Sequence, residues 1–116
     1  MDEVLDIYDD NKKKTGMSIL RSKTQELSEG KHILISVLLV ENDEGKIMMQ
    51  LTSPKKGSVF ALPGGHVLQN ENSRDTIIRE MYEEQGLVIK KDGIELIEER
   101  MTNKLPFFHI YYQKQN

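Results

Sequence analysis

The run Ile33-Leu34-Ile35-Ser36-Val37-Leu38-Leu39-Val40 constrains this chain more than any other segment. It is β-branched and aliphatic almost throughout, with only Ser36 interrupting. Such a run reads as a strand buried on both faces rather than as one half of an amphipathic sheet. At eight residues it is far too short to cross a membrane, which takes about 20. The turn residues Asn42-Asp43-Glu44-Gly45 follow, then Ile47-Met48-Met49-Gln50-Leu51, so 33–51 predicts a β-hairpin. Residues 52–58, with Pro54 and Gly57, read as a loop, and no regular element is expected to continue through Pro63-Gly64-Gly65.

The segments on either side complete a mixed pattern. In the first thirty residues, Val4–Tyr8 and Met17–Leu20 are expected to pair as a surface hairpin across the turn-forming stretch 9–16. That stretch does not make a calcium loop. Lys13 stands at a ligand position, Lys14 replaces the required glycine, and no Glu closes the loop. One helix is predicted from Asn72 or Ser73 as cap, with Asp75 in its first turn, to Gly86. Strands are expected at Ile94–Ile97 and Phe107–Tyr112. The whole of 1–116 is then a single α/β domain around one sheet, with 1–30 as an N-terminal hairpin or extension.

Composition narrows the chemistry. There is no cysteine, which removes disulfides, thiolate zinc sites and cysteine nucleophiles. Sixteen basic against 19 acidic residues leave a net charge of -3, which offers no long-range attraction for nucleic acid or anionic lipid. The acidic start Met1-Asp2-Glu3 does not resemble a signal peptide, so a cytoplasmic location is expected, with neither nucleic acid nor membrane as partner. His32, His66 and His109 lack metal-ligand spacing.

The predicted helix carries the chemistry. At 100° per residue, Glu80, Glu83 and Glu84 fall within an arc of about 100°, beside the apolar arc of Ile77, Ile78 and Met81. Carboxylates so placed repel one another, and a hard divalent cation such as Mg²⁺ relieves the repulsion through its preference for carboxylate oxygens. A solvated acidic helix face is the plainer alternative for these three residues taken alone. Glu71 precedes the helix, Arg79 precedes Glu80, and Gly64-Gly65 make a tight turn upstream. Without side chains, these glycines let backbone come close to a metal or phosphate.

Written out, Gly65, five residues, Glu71, seven residues and Arg79-Glu80-Met81-Tyr82-Glu83-Glu84-Gln85-Gly86-Leu87 resemble the complete box of the Nudix hydrolase family, residues 65–87. The resemblance implies a loop–helix–loop within an α/β/α sandwich containing a mixed sheet. It also implies Mg²⁺ or Mn²⁺ as cofactor and hydrolysis of a phosphoanhydride bond in a nucleoside diphosphate linked to another moiety. Carried onto this chain, Glu83 and Glu84 are metal ligands and Glu80 is a ligand or the water-activating base. Glu71 becomes a further ligand, the Gly64 carbonyl completes the shell, and Arg79 orients the carboxylates. Gly65 and His66, which flanks the glycine turn, are candidates for substrate contact, with a structural loop histidine as the alternative for His66.

A second likeness runs through Leu5-Asp6-Ile7-Tyr8-Asp9-Asp10, Lys14-Thr15-Gly16, Arg21, Glu29-Gly30 and His32. These resemble the isopentenyl-diphosphate-isomerase-like branch of the family. The isomerases of that branch use a catalytic cysteine, which this chain lacks, so hydrolysis is expected instead. Where relatives of the branch carry Gln-x-Arg-Ser, this chain has Gln50-Leu51-Thr52-Ser53, leaving Lys55 and Lys56 as candidates for the phosphate contact. Relatives also continue past a strand like Phe107–Tyr112 into a C-terminal helix. The expectation is therefore a C-terminally short domain with an uncovered sheet face or edge, or a homodimer partner covering it. The competing functional expectation is a domain that binds metal or nucleotide without turnover.

Overall fold

The computed structural model describes residues 2–52, 54–102 and 106–114. Strands β1 (Val4–Tyr8) and β2 (Lys14–Leu20) form the expected antiparallel hairpin, with Leu5 opposite Ile19. Its turn is held by Asp9, whose Oδ1 accepts the N–H groups of Asn11 at 2.8 Å and Lys13 at 3.1 Å. Lys14–Gly16 belong to the returning strand rather than to the turn, because this side-chain clamp closes the turn early.

Strand β3 (Ile33–Glu41) lies inside a four-stranded mixed sheet of order β6-β3-β8-β7, where β6 is Gly64–His66, β7 is Glu95–Met101 and β8 is Pro106–Lys114. It runs parallel to β8 along its whole length, Ile33 opposite Pro106 through Glu41 opposite Lys114. Its other edge pairs antiparallel with β6, and β7 pairs antiparallel with β8.

Two expectations change here. The hairpin over 33–51 exists only at its turn. Glu41 bridges Ile47 and the Met48 N–H donates to the Val40 carbonyl at 2.9 Å, after which the chain leaves β3. Strand β4 (Gln50–Leu51) pairs instead with β5 (Phe60–Ala61) in a separate ribbon, since β6 already occupies that edge of β3. The second change is β6 itself, a strand through glycines where none was expected. A Cβ built on Gly64 would lie 2.1 Å from the Ser36 carbonyl oxygen and 2.8 Å from the Val37 Cα. Only a residue without a side chain brings the two backbones this close.

Helix α1 (Ser73–Gln85) packs on one face of the sheet, and it is the α-helix of the described residues. Asn72 caps it by accepting the Asp75 N–H at 2.8 Å, and Gly86 ends it in the left-handed region at φ 68°. Ile77 and Met81 are buried against Leu38, Val40, Ile89, Ile94 and Tyr111, while Ile78 is only partly buried. A second cluster gathers Tyr8, Leu34, Val67 and Phe107, with Tyr8 and Phe107 edge-to-face at 5.2 Å. The N-terminal hairpin thus shares the core with the sheet. No helix among the described residues is long and apolar enough to cross a membrane.

The start of α1 is fastened to the sheet by a polar relay. Ser36 Oγ donates to the Ser73 carbonyl at 2.9 Å. Ser73 Oγ lies 2.6 Å from both His109 Nδ1 and the Tyr111 hydroxyl, and His109 Nε2 is 3.3 Å from Glu99. With the proton of neutral His109 on Nε2, on the side of Glu99, the relay is satisfied: Tyr111 donates to Ser73 and Ser73 to Nδ1.

Burial pushes the His109 pKa below its ordinary 6.5, with Glu99 pulling it up and Lys12 pushing it down. The unfolded chain therefore takes up this proton first as pH falls. The stability His109 contributes is complete above about pH 6.5 and is lost on acidification below it. We expect thermal melts of His109→Gln to depend less steeply on pH between about 6.5 and 5 than those of the parent. Equal slopes would rule this histidine out as a source of the acid sensitivity.

Candidate functional site

The site is assembled from the loop after β6 and one face of α1. Residues 68–71 turn tightly, with the Glu71 N–H donating to the Leu68 carbonyl at 3.0 Å and Asn70 in the left-handed region at φ 66°. The turn returns the Glu71 side chain onto its own backbone, where Oε1 accepts the Leu68 N–H at 3.1 Å and the Thr76 hydroxyl at 2.7 Å.

Arg79 stands at the centre. Its Nε donates to Glu71 Oε2 at 2.8 Å and its Nη2 to Glu71 Oε1 at 3.1 Å, a two-point clasp. Its Nη1 donates to Glu80 at 2.9 Å and to Glu83 at 3.0 Å, and its Nη2 reaches the His66 carbonyl at 3.4 Å. One guanidinium therefore holds three carboxylates and the backbone of β6. Side-chain exposure separates the three: Glu80 at 14% and Glu71 at 16% are largely enclosed, whereas Glu83 at 56% is held at the rim.

The charge states follow from these contacts. Burial alone would raise the Glu71 carboxyl, but hydrogen bonds from Arg79, Thr76 and the Leu68 N–H outweigh it and hold the pKa below the usual carboxylate range. The acidic neighbours push the Arg79 pKa still higher, keeping it charged. Glu80 is pushed up to about 7, first by burial and then by a hydrogen bond shared with Glu84, against the pull of Arg79. Glu80 and Glu84 thus face each other with too little positive charge between them, and their proximity works against ionisation of Glu80.

Gly65 makes room for this arrangement. A Cβ there would fall 2.5 Å from both Cδ and Oε1 of Glu80. The helix carboxylate is accordingly pressed against bare backbone at the β6 turn.

Among the described residues no three acidic or imidazole side chains are gathered into a cation site, because Arg79 draws Glu71, Glu80 and Glu83 to itself. The donor set nonetheless suits a hard divalent ion. It consists of carboxylate oxygens only, Glu80 and Glu84 meet as like charges, and Glu83 is tied at the rim by a single guanidinium contact.

Of the residues expected from sequence, Glu71, Arg79, Glu80, Glu83, Glu84, Gly65 and the His66 backbone are brought together, with Gly64 adjoining through its pairing to Val37. Lys55 is not. It is exposed on the short 3-10 turn Pro54–Lys56, and among the described residues no hydrogen bond or ion pair joins it to the carboxylates. The side chain of Lys56 lies outside the described residues. Sequence reasoning missed Thr76, whose hydroxyl completes the Glu71 clasp. Its signal was slight, a hydroxyl one turn into a helix whose cap was already assigned to Asn72.

Residues 30–115 match the family model described as NUDIX domain. Among solved structures, the fold is similar to that of DR0079 from Deinococcus radiodurans, with a TM-score of 0.78 at 20% identity, covering 98% of this chain and 73% of that one. It is also similar to a MutT/nudix family protein from Enterococcus faecalis (TM-score 0.62, 27% identity), covering 80% of this chain and 40% of that chain. For the MutT protein from Methanosarcina mazei Go1 the TM-score is 0.51 at 22% identity, with 73% and 65% covered. No curated protein sequence matches the chain.

Proposed function

The chain belongs to the Nudix domain family, and we propose that it hydrolyses a phosphoanhydride bond in a nucleoside diphosphate linked to another moiety, with Mg²⁺ or Mn²⁺ as cofactor. The observation that carries this reading is the Arg79 hub, which aligns Glu71, Glu80 and Glu83 beside the Glu80–Glu84 pair.

In this reading Glu83 and Glu84 hold the cation together with Glu71 and the Gly64 carbonyl. Glu80 is either a further ligand or the group that takes the proton of the attacking water. Such a cation supplies charge neutralisation at the diphosphate and acidity to that water. Arg79 keeps the carboxylates oriented while the substrate is present, and its charge offsets part of theirs. In this reading the substrate phosphate approaches beside Gly65 and His66, next to the Glu80 carboxylate that lies against the β6 turn. A small-molecule substrate rather than nucleic acid accords with the chain's acidic balance.

The decisive experiment is phosphate release from a panel of nucleoside diphosphate derivatives in the presence of Mg²⁺. Glu83→Gln and Glu84→Gln should each lower the rate by about 100-fold or more while the fold is retained. A rate unchanged in both variants would sink the assignment. Mg²⁺ should also raise the melting temperature, since ligand at 100 times its Kd adds about 2.7 kcal/mol, and a flat titration would count equally against it. The competing reading is a domain that binds metal or nucleotide without turnover. Stabilisation by Mg²⁺ with no phosphate release from the panel would select it.

A further inference from the structure

We propose that Asp6, in the N-terminal hairpin, is a positioning residue for the carboxylate cluster: it fixes the 68–71 turn and so the direction in which Glu71 meets Arg79. This rests on the hydrolytic reading given above.

Asp6 lies between Leu5 and Ile7 on β1, where the alternation of a surface hairpin would turn it to solvent, yet it is 7% exposed. A carboxylate is enclosed at a cost unless it is paired and hydrogen-bonded. Its Oδ2 accepts the Asn70 N–H at 2.8 Å and is 3.1 Å from Lys14 Nζ on β2. Asn70 is the left-handed residue of the turn, so this bond secures the least favourable backbone conformation in the site loop.

The contacts around it reinforce the same turn. The Gln69 N–H donates to the Val4 carbonyl at 2.8 Å, Leu5 bridges Leu68, and Lys14 Nζ reaches the Glu71 carbonyl at 3.5 Å. The hairpin therefore grips the backbone at Leu68, Gln69, Asn70 and Glu71 in succession. From Glu71 the path continues through Arg79 to Glu80 and Glu83. Strands β1 and β2 lie wholly before residue 30, where the match to the family model begins. The support for Glu71 thus comes from outside the matched region.

A residue that merely anchors the hairpin would stabilise the fold without being coupled to Glu71. The experiment separates the two by combining substitutions in the full chain and reading Mn²⁺ affinity by electron paramagnetic resonance alongside kcat for phosphate release. Asp6→Ala should weaken Mn²⁺ binding and lower kcat by about tenfold each, the scale of outer-shell ligand support. Asp6→Asn, whose amide oxygen still accepts the Asn70 N–H, should recover most of both. In a Glu71→Gln background, Asp6→Ala should add no further loss.

Parent-like affinity and kcat in folded Asp6→Ala overturns the proposal, as does an undiminished further loss in the Glu71→Gln background. Should Asp6→Ala fail to fold, Lys14→Met at an exposed side chain carries the same test. About a threefold loss that vanishes in the Glu71→Gln background supports the proposal, and no loss overturns it. Parent protein that neither binds Mn²⁺ nor releases phosphate overturns the hydrolytic reading and this inference together. Parent protein that does both, with the Asp6 and Lys14 variants unaffected, overturns this inference alone.

Discussion

The Arg79→Met variant is expected to melt on the order of 10 °C below the parent in metal-free buffer, a loss of about 3 kcal/mol. Methionine keeps the apolar bulk but removes the donors that satisfy Glu71 from two sides and Glu80 and Glu83 from one each. Glu71 and Glu80 are largely enclosed, so their charges cannot simply pass to water. The cost is that of stranded carboxylates rather than of a lost surface ion pair, which would be worth well under 1 kcal/mol. Divalent cation offers those oxygens a replacement charge. The deficit should therefore shrink when the melt is repeated in saturating Mg²⁺. A deficit of equal size with and without Mg²⁺ would show that the cation does not engage the carboxylates that Arg79 holds. Phosphate release should fall in the same variant even where the fold is restored.

The second large effect distinguishes two adjacent glycines. Gly64→Ala should destabilise the fold by about 3 kcal/mol, because its Cβ would enter the backbone of β3 at Ser36 and Val37, which cannot yield without opening the β3–β6 pairing. Gly65→Ala meets the far end of the Glu80 side chain instead, which can swing away. Its stability loss should stay near 1 kcal/mol, while phosphate release drops by about tenfold or more as Glu80 leaves its place. Thermal melts paired with the rate assay settle the matter. Equal destabilisation of both variants would mean that Glu80 is not free to move and that the turn is rigid on both sides.

Much of the site was legible because it is local. Arg79, Glu80, Glu83 and Glu84 lie within two turns of one helix, so helical periodicity alone places three carboxylates along one edge. The cap at Asn72 and the glycine at 86 carry their own chemistry and mark the bounds of α1. What escaped was set by distant chain. The partner of β3 along the edge opposite β8 is decided by which segment can approach Ser36 and Val37, and the side-chain-free backbone at Gly64 can. A hairpin was the local expectation, and it survived only as far as Met48. Asp6 likewise bears no local sign of burial. Its role depends on Asn70, far along the chain, presenting an N–H to it. The phosphate contact expected of Lys55 rested on substitution for a missing arginine, a reasoning about residue type with no geometry behind it. Lys55 lies on an exposed turn, and among the described residues no hydrogen bond or ion pair joins it to the carboxylates.

The parallel pairing of β3 with β8 also bears on the order in which the molecule is made. β8 sits between β3 and β7, so the central apolar strand finds its longest partner near the far end of the described chain. Until residues 106–114 have been synthesised, Ile33–Val40 has one long unpaired edge, rich in Ile, Leu and Val and without a charge or proline to discourage other chains. Long-range strand closure is slow, and a strand waiting in this way is open to pairing with a neighbouring copy. The segment that pairs on both edges in the finished sheet is thus the one most exposed to aggregation while the chain is still being completed.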